Sequence, residues 1–198
     1  MLKNSRMRYR LKQFKDFEIR GIAYDSRCVK DGYLFVAKTP QFVEDAVERG
    51  AEVIVTDREL PLRITQIIVS KPRKFLSRIA KIYYGKPDEK MKVIGITGTN
   101  GKTTTSFLVK SIFEKAGYKT GLIGTIEYLI GDKRIEEGLT TPESLDIYRI
   151  MSEMIKEGVK VCVMEVSSHG LSQYRVEDVD FDIAVLTEIG RDHLDYHR

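Results

Sequence analysis

The stretch Gly95-Ile96-Thr97-Gly98-Thr99-Asn100-Gly101-Lys102-Thr103-Thr104-Thr105 decides how this chain is read. It continues the strand-like run Lys92-Val93-Ile94 and opens a pattern of helical spacing that extends from Lys102 to Ala116 and stops at Gly117. Strand, glycine-rich turn and helix, in that order, set backbone N–H groups and the positive end of a helix dipole where a phosphate can sit. Lys102 would reach the outer phosphates and Thr103 would offer its hydroxyl to Mg2+, while the glycines let the backbone approach a polyphosphate without a Cβ in the way. The pattern departs from the common GxxxxGK[ST] loop, since the position five before Gly101 is Ile96. The bland alternative is a glycine-rich turn that only joins strand to helix.

Outward from this loop, toward the C-terminus, the spacing predicts a strand at 121–125, then a helix with Thr141 as N-cap, Pro142 at its first position and Gly158 as its stop. Strands follow at 161–166 and 181–187. Apolar strands separated by helices imply a parallel sheet covered on both faces. Toward the N-terminus, strands are expected at 21–24, 33–37, 53–56 and 66–69. Between them Phe42, Ala46 and Val47 share a helical face ending before Gly50, and Pro72 opens a helix through Phe75, Ile79, Ile82 and Tyr83. Gly85-Lys86-Pro87-Asp88-Glu89-Lys90 reads as an exposed, flexible linker. The expected organisation is therefore α/β, with a small N-terminal α/β domain over 1–86 and a P-loop-type parallel-sheet domain, cut short, over 91–198.

Composition agrees with a folded, water-soluble chain. Its 198 residues carry 33 basic and 29 acidic side chains, net +4, with 42% apolar residues, which excludes a disordered or fibrous protein. The longest apolar runs, such as Val161-Cys162-Val163-Met164, fall far short of the ~20 residues that span a bilayer, so no membrane segment is expected. Charges of both signs alternate along most of the chain, which argues against nucleic acid as a partner. The first 15 residues are basic without an acid, and Met7, Leu11 and Phe14 recur at helical spacing, as in an amphipathic surface helix. Cys28 and Cys162 lie far apart with no CxxC spacing, which fits a reducing, cytoplasmic setting.

Two further clusters follow strand ends. In Met164-Glu165-Val166-Ser167-Ser168-His169-Gly170-Leu171 a buried strand stops at a carboxylate. Ligands of parallel sheets bind at the carboxyl ends of strands, so Glu165 is a candidate metal ligand on the phosphate-loop edge, with a helix cap or solvated charge as the alternative. In Thr187-Glu188-Ile189-Gly190-Arg191-Asp192-His193-Leu194-Asp195-Tyr196-His197 the alternating His193, Asp195 and His197 suggest zinc, but no fourth ligand follows. Asp192 and His193 are read instead as polar or Mg2+-site residues.

Taken in this order, the loop Gly98 to Thr105, the cluster Met164 to Leu171 and the cluster Arg191 to His197 resemble the Mur ligases. Tyr24-Asp25-Ser26-Arg27 with Gly32-Tyr33-Leu34-Phe35-Val36-Ala37 is similar to that family's UDP-binding domain. The resemblance implies an ATP- and Mg2+-dependent enzyme of peptidoglycan precursor synthesis. Such an enzyme joins a diamino acid to UDP-N-acetylmuramoyl-L-alanyl-D-glutamate through an acyl phosphate. Carried over by position, Gly98, Thr99, Asn100, Gly101, Lys102, Thr103 and Thr104 would hold ATP, Thr103, Glu165 and His193 would hold Mg2+, and Lys102, Glu165 and His193 would act in the chemistry. Tyr24 and Ser26 would touch the uridine end. Thr140, Thr141, Ser167, Gln173 and Arg175 would hold the muramyl-peptide.

Glu188 stands where the family usually has Asn, and Lys38-Thr39-Pro40-Gln41 replaces a longer, glycine-containing loop. The chain stops at Arg198, ahead of the family's carbamylated lysine and C-terminal domain. It is therefore expected to be the front part of such an enzyme, inactive alone and self-associating through a truncated sheet edge. The rival readings are a non-catalytic nucleotide- or UDP-sugar-binding protein and a P-loop kinase or GTPase; the latter needs an Asp where Glu165 stands.

Overall fold

Val53-Ile54-Val55-Thr56, four β-branched residues in a row, favour extended backbone, and they form the centre of the first sheet. The structure, a computed structural model, describes residues 19–136, 138–192 and 194–197. The expected N-terminal helix over the first 15 residues lies outside them. By its contacts the chain divides into two compact units, 1–76 and 77–198.

In the first unit, strands β1 (Gly21–Ala23), β2 (Tyr33–Val36), β3 (Ala51–Thr56) and β4 (Thr65–Ile68) lie in that order, each parallel to the next. Helix α1 (Val43–Glu48) drops Val43 and Ala46 onto Phe35 and Ile54, all essentially inaccessible. Phe42, expected on that face, is instead half exposed, because the helix begins one residue later and a 3-10 turn at Pro40–Phe42 precedes it. Helix α2 (Pro72–Tyr83) runs through the division between the units, which falls after Leu76.

The anticipated linker is not loose chain. Pro87–Lys90 form a 3-10 turn, and Asp88 is 2% exposed. Its Oδ2 accepts from Lys81 Nζ at 2.8 Å and from the Asp180 N–H at 3.0 Å. Glycine, proline and charge mark a turn in sequence, but whether that turn is free or pinned depends on a lysine seven residues earlier and an aspartate ninety-two residues later.

The second unit carries a six-stranded sheet of order β10-β5-β9-β6-β7-β8. Strands β5 (Lys92–Thr97), β6 (Thr120–Ile123), β9 (Val161–Glu165) and β10 (Ile183–Leu186) are parallel, as expected. An antiparallel pair that the sequence reading lacked, β7 (Tyr128–Ile130) and β8 (Lys133–Glu136), extends one side. Helix α3 (Lys102–Lys115) lays Phe107, Val109 and Phe113 on Ile94, Ile96, Leu122, Val161 and Val163. Successive strand residues point to opposite faces, so Gly121, next to Leu122, looks the other way. There it meets Met154 of helix α4 (Ser144–Lys156), and the two helices cover opposite faces. Ile147, Ile150, Met151 and Met154 of α4 are fully buried, each worth ~1.5–3 kcal/mol of transfer free energy. Cover is incomplete at β10, the end strand, where Ile183 and Leu186 are 50% and 57% exposed, in keeping with the open sheet edge expected.

The helix expected to start at Thr141-Pro142 starts at Ser144, with Glu143 in the cap position. The Thr141 hydroxyl is used elsewhere, donating to the Glu165 carbonyl at 3.0 Å and accepting from the Ser167 N–H at 2.9 Å. Short helices α5 (Ser168–Ser172) and α6 (Leu194–His197) complete the unit. Among the described residues no helix is long and apolar enough to cross a membrane.

Candidate functional site

Because β5, β6, β9 and β10 are parallel, their carboxyl ends share one edge, and the segments that leave them meet there. β5 feeds the loop 98–101, which turns into α3. Gly98 (φ +137°) and Gly101 (φ +79°) hold backbone conformations that a Cβ disfavours, and a Cβ on Gly98 would lie 2.2 Å from Thr187 Oγ1. The Lys102 ammonium donates to the carbonyls of Gly98 and Thr99 at 2.7 and 3.0 Å, which folds the loop around its side chain. From the end of β10, Thr187 Oγ1 donates to Asn100 O at 2.6 Å, and the Thr99 N–H donates to Glu188 O at 2.9 Å. The Glu188 carboxylate, at the position noted for its charge, accepts from the Asn100 amide at 3.4 Å.

β9 ends on Glu165, which is completely buried. Its Oε2 accepts from the hydroxyls of Thr103 (2.9 Å) and Thr125 (3.0 Å), and its Oε1 from the Thr125 N–H (3.1 Å). Ser106 Oγ lies 3.4 Å from Oε1 and donates to Thr103 O at 2.8 Å. Thr140 Oγ1 is 2.9 Å from Thr125 Oγ1. A buried carboxylate needs such donors, since an unpaired charge in the interior is costly. Gly124 leaves the room: a Cβ there would stand 2.4 Å from Glu165 Oε1. A cleft of about 280 Å³ opens between Thr99, Asn100, Lys102 and Thr104 on one side and Thr125, Thr140 and Ser167 on the other.

Thr103 and Glu165 fit a magnesium ion. Both offer hard oxygens of the kind Mg2+ takes, and they meet on the same sheet edge as the glycine loop. His193 lies outside the described residues.

The remaining expected residues flank this edge or belong to the first unit. Ser167 caps α5 by accepting the Gly170 N–H at 3.1 Å. Arg175 donates to Thr141 O (2.6 Å) and to Gln173 Oε1 (2.7 Å) and stands 3.7 Å from the buried Glu143. Thr140, Thr141, Ser167, Gln173 and Arg175 thus form one connected wall. In the first unit, Lys38 Nζ sits 4.3 Å from the Tyr24 ring centroid, a cation–π contact. Ser26 is buried, and its hydroxyl holds the Asp45 carboxyl below the usual carboxylate range. Between Tyr24 and Ser26, Asp25 is lowered to about 2 by its hydrogen bond from the Arg27 side chain.

The sequence reading missed Thr125 and Ser106. Thr125 had a signal, the end of an apolar strand on the same sheet edge; Ser106 had none beyond standing three residues after Thr103 on a helix.

The profile of the Mur ligase middle domain matches residues 96–198, just over half of the chain and wholly within this second unit. The chain belongs to the Mur ligase family. A UDP-N-acetylmuramoyl-L-alanyl-D-glutamate--2,6-diaminopimelate ligase of Caldanaerobacter subterraneus subsp. tengcongensis is 45% identical over 199 aligned residues, covering 96% of this chain and 41% of that protein. A solved structure of a ligase of the same description superposes with a TM-score of 0.78 at 28% identity, over 94% of this chain and 41% of that one. A MurF ligase of Thermotoga maritima, solved in complex with ADP, shares the fold at 21% identity and a TM-score of 0.56, over 91% and 40% of the two chains. This Mur ligase chain spans about two fifths of the length of the curated relatives it matches.

Proposed function

We propose that the chain is a nucleotide-binding part of a Mur ligase that joins 2,6-diaminopimelate, or a similar diamino acid, to UDP-N-acetylmuramoyl-L-alanyl-D-glutamate with ATP. One observation carries this reading: the buried Glu165 carboxylate and the Thr103 hydroxyl stand 2.9 Å apart at the mouth of a glycine loop that opens a 14-residue helix. The loop amides and helix dipole suit a polyphosphate. Thr103 and Glu165, with His193, would hold Mg2+, which when bound supplies positive charge to the nucleotide's phosphates.

The chain's own groups have separable tasks. Lys102, released from the Gly98 and Thr99 carbonyls, moves its ammonium to the outer phosphate and offsets the charge that builds as the phosphoryl leaves for the substrate carboxylate. That transfer gives a poor acyl donor a leaving group, and the amine of the incoming amino acid then attacks. Thr140, Thr141, Ser167, Gln173 and Arg175 are assigned the muramyl-peptide, Arg175 being the cation suited to a carboxylate. Tyr24 and Ser26 are assigned the uridine end, and 45% identity to the named diaminopimelate ligase supports the substrate class.

Calorimetric titration of the 198-residue chain with MgATP, and separately with the UDP-muramyl dipeptide, tests the reading. Saturable MgATP binding lost in Lys102→Ala, with the circular dichroism spectrum unchanged, is the expected result. Equal nucleotide affinity in that variant would remove the assignment.

A further inference from the structure

Thr125 stands just past the end of β6, where it lines the cleft, and it grips Glu165 at two points. Its N–H donates to Oε1 at 3.1 Å and its hydroxyl donates to Oε2 at 3.0 Å, so one residue holds both oxygens of one carboxylate. The last torsion of a glutamate side chain is soft, and burial alone does not choose its setting. Two donors fixed to one residue do. The other hydroxyls beside Glu165 are committed elsewhere. Ser106 Oγ gives its proton to Thr103 O at 2.8 Å, and Thr103 Oγ1, 2.9 Å from Oε2, is the oxygen assigned to the ion. Thr125 is therefore the residue left to hold the carboxylate once that assignment is filled. Gly124 lets the backbone come this near, since a Cβ on it would stand 2.4 Å from Oε1. Thr125 Oγ1 also lies 2.9 Å from Thr140 Oγ1, on the wall assigned to the muramyl-peptide.

We propose that Thr125 is a positioning residue, whose two-point hold sets the plane of the Glu165 carboxylate for a divalent cation before the cation arrives. Mg2+ demands near-octahedral geometry and gives up its water reluctantly, so a ligand that must first be turned into place takes that ordering cost out of the affinity. The inference rests on the functional reading above for the ion, but not for the grip on the carboxylate itself. A nucleotide bound without metal gains nothing from how Glu165 is turned. ATP without metal should therefore be nearly indifferent to the Thr125 hydroxyl.

Calorimetry and amide hydrogen exchange on the 198-residue chain and its Thr125→Val and Thr125→Ser variants test this. Valine keeps the β-branched shape and the N–H but loses the hydroxyl, whereas serine keeps the hydroxyl. In Thr125→Val, MgATP affinity should fall about tenfold, the equivalent of one hydrogen bond to a charged group, while affinity for ATP in EDTA should change less than about twofold. The protection factor of the residue-125 amide, whose carboxylate partner is then free to turn, should also fall about tenfold. Thr125→Ser should stay within about threefold of wild type in all three readouts. An equal loss of affinity with and without Mg2+, unchanged protection in Thr125→Val, or a serine variant no better than the valine one would each overturn the proposal. If the wild-type chain binds no nucleotide, the functional reading fails, and the protection factors still decide whether the Thr125 hydroxyl holds Glu165.

Discussion

Replacing Lys81 with methionine should cost the second unit more than any surface change, because Lys81 is the counter-charge of a carboxylate that has no access to water. The Asp88 side chain is fully buried and that of Lys81 is 8% exposed; the ammonium also donates to Asp178 O at 3.1 Å and Asp180 Oδ2 at 2.5 Å. Removing one partner of a buried pair strands the other and costs ~3–5 kcal/mol. Asp180 is largely exposed and adds little of this. For the ~120 residues after Leu76, 1 kcal/mol corresponds to ~4 °C, so the melting transition should drop by ~12–20 °C. Burial pushes the Lys81 ammonium down, but hydrogen bonds to Asp180 and Asp88 outweigh it and hold it above its ordinary 10.5. A raised cation contributes in full below pH 10.5 and is lost as pH climbs through the folded value, so wild type and variant should converge only in strong alkali. Urea unfolding followed by circular dichroism at pH 8 and at pH 11 measures both effects. Lys81→Met/Asp88→Leu should recover most of the loss, since an apolar pair strands no charge. A loss below about 1 kcal/mol in Lys81→Met, or no recovery in the double variant, would show that the pair is not the clasp described.

Gly124→Ala would drive a methyl into Glu165 Oε1, so it should cost ~1–3 kcal/mol in thermal unfolding and remove the gain in ATP affinity given by Mg2+. An unchanged Mg2+ dependence by calorimetry would show that Glu165 is not where the ion acts. Cys28 is exposed, whereas burial pushes the Cys162 thiol up to about 12, so iodoacetamide at pH 8 should label Cys28 alone in peptide mass mapping. β10 is an edge strand with Ile183 and Leu186 half exposed, so the isolated chain should self-associate in sedimentation velocity. Ile183→Lys/Leu186→Lys should shift it toward monomer; a wild-type monomer at all concentrations would refute this.

By itself the sequence determined what short-range physics controls. The path from β5 through Gly98 and Gly101 into α3 was legible because strand run, glycines and helical spacing lie within two dozen residues. The parallel strands β3 and β9 were legible because β-branched and apolar runs admit few other structures. Glu165 could be named as a candidate from its place at a strand end. Tertiary structure alone decided what surrounds it: Thr125 arrives from 40 residues away and Thr103 from 62, and no spacing rule links such positions. The same holds where local signals lost. Thr141 and Pro142 form a good helix start, yet Thr141 gives its hydroxyl to Glu165 and Ser167 instead, so α4 begins at Ser144. Gly85 to Lys90 has the composition of free chain, yet Lys81 and Asp180 pin it. In each case a buried polar group far along the chain needed a partner, and satisfying it outweighed the ~1 kcal/mol preferences that local sequence expresses.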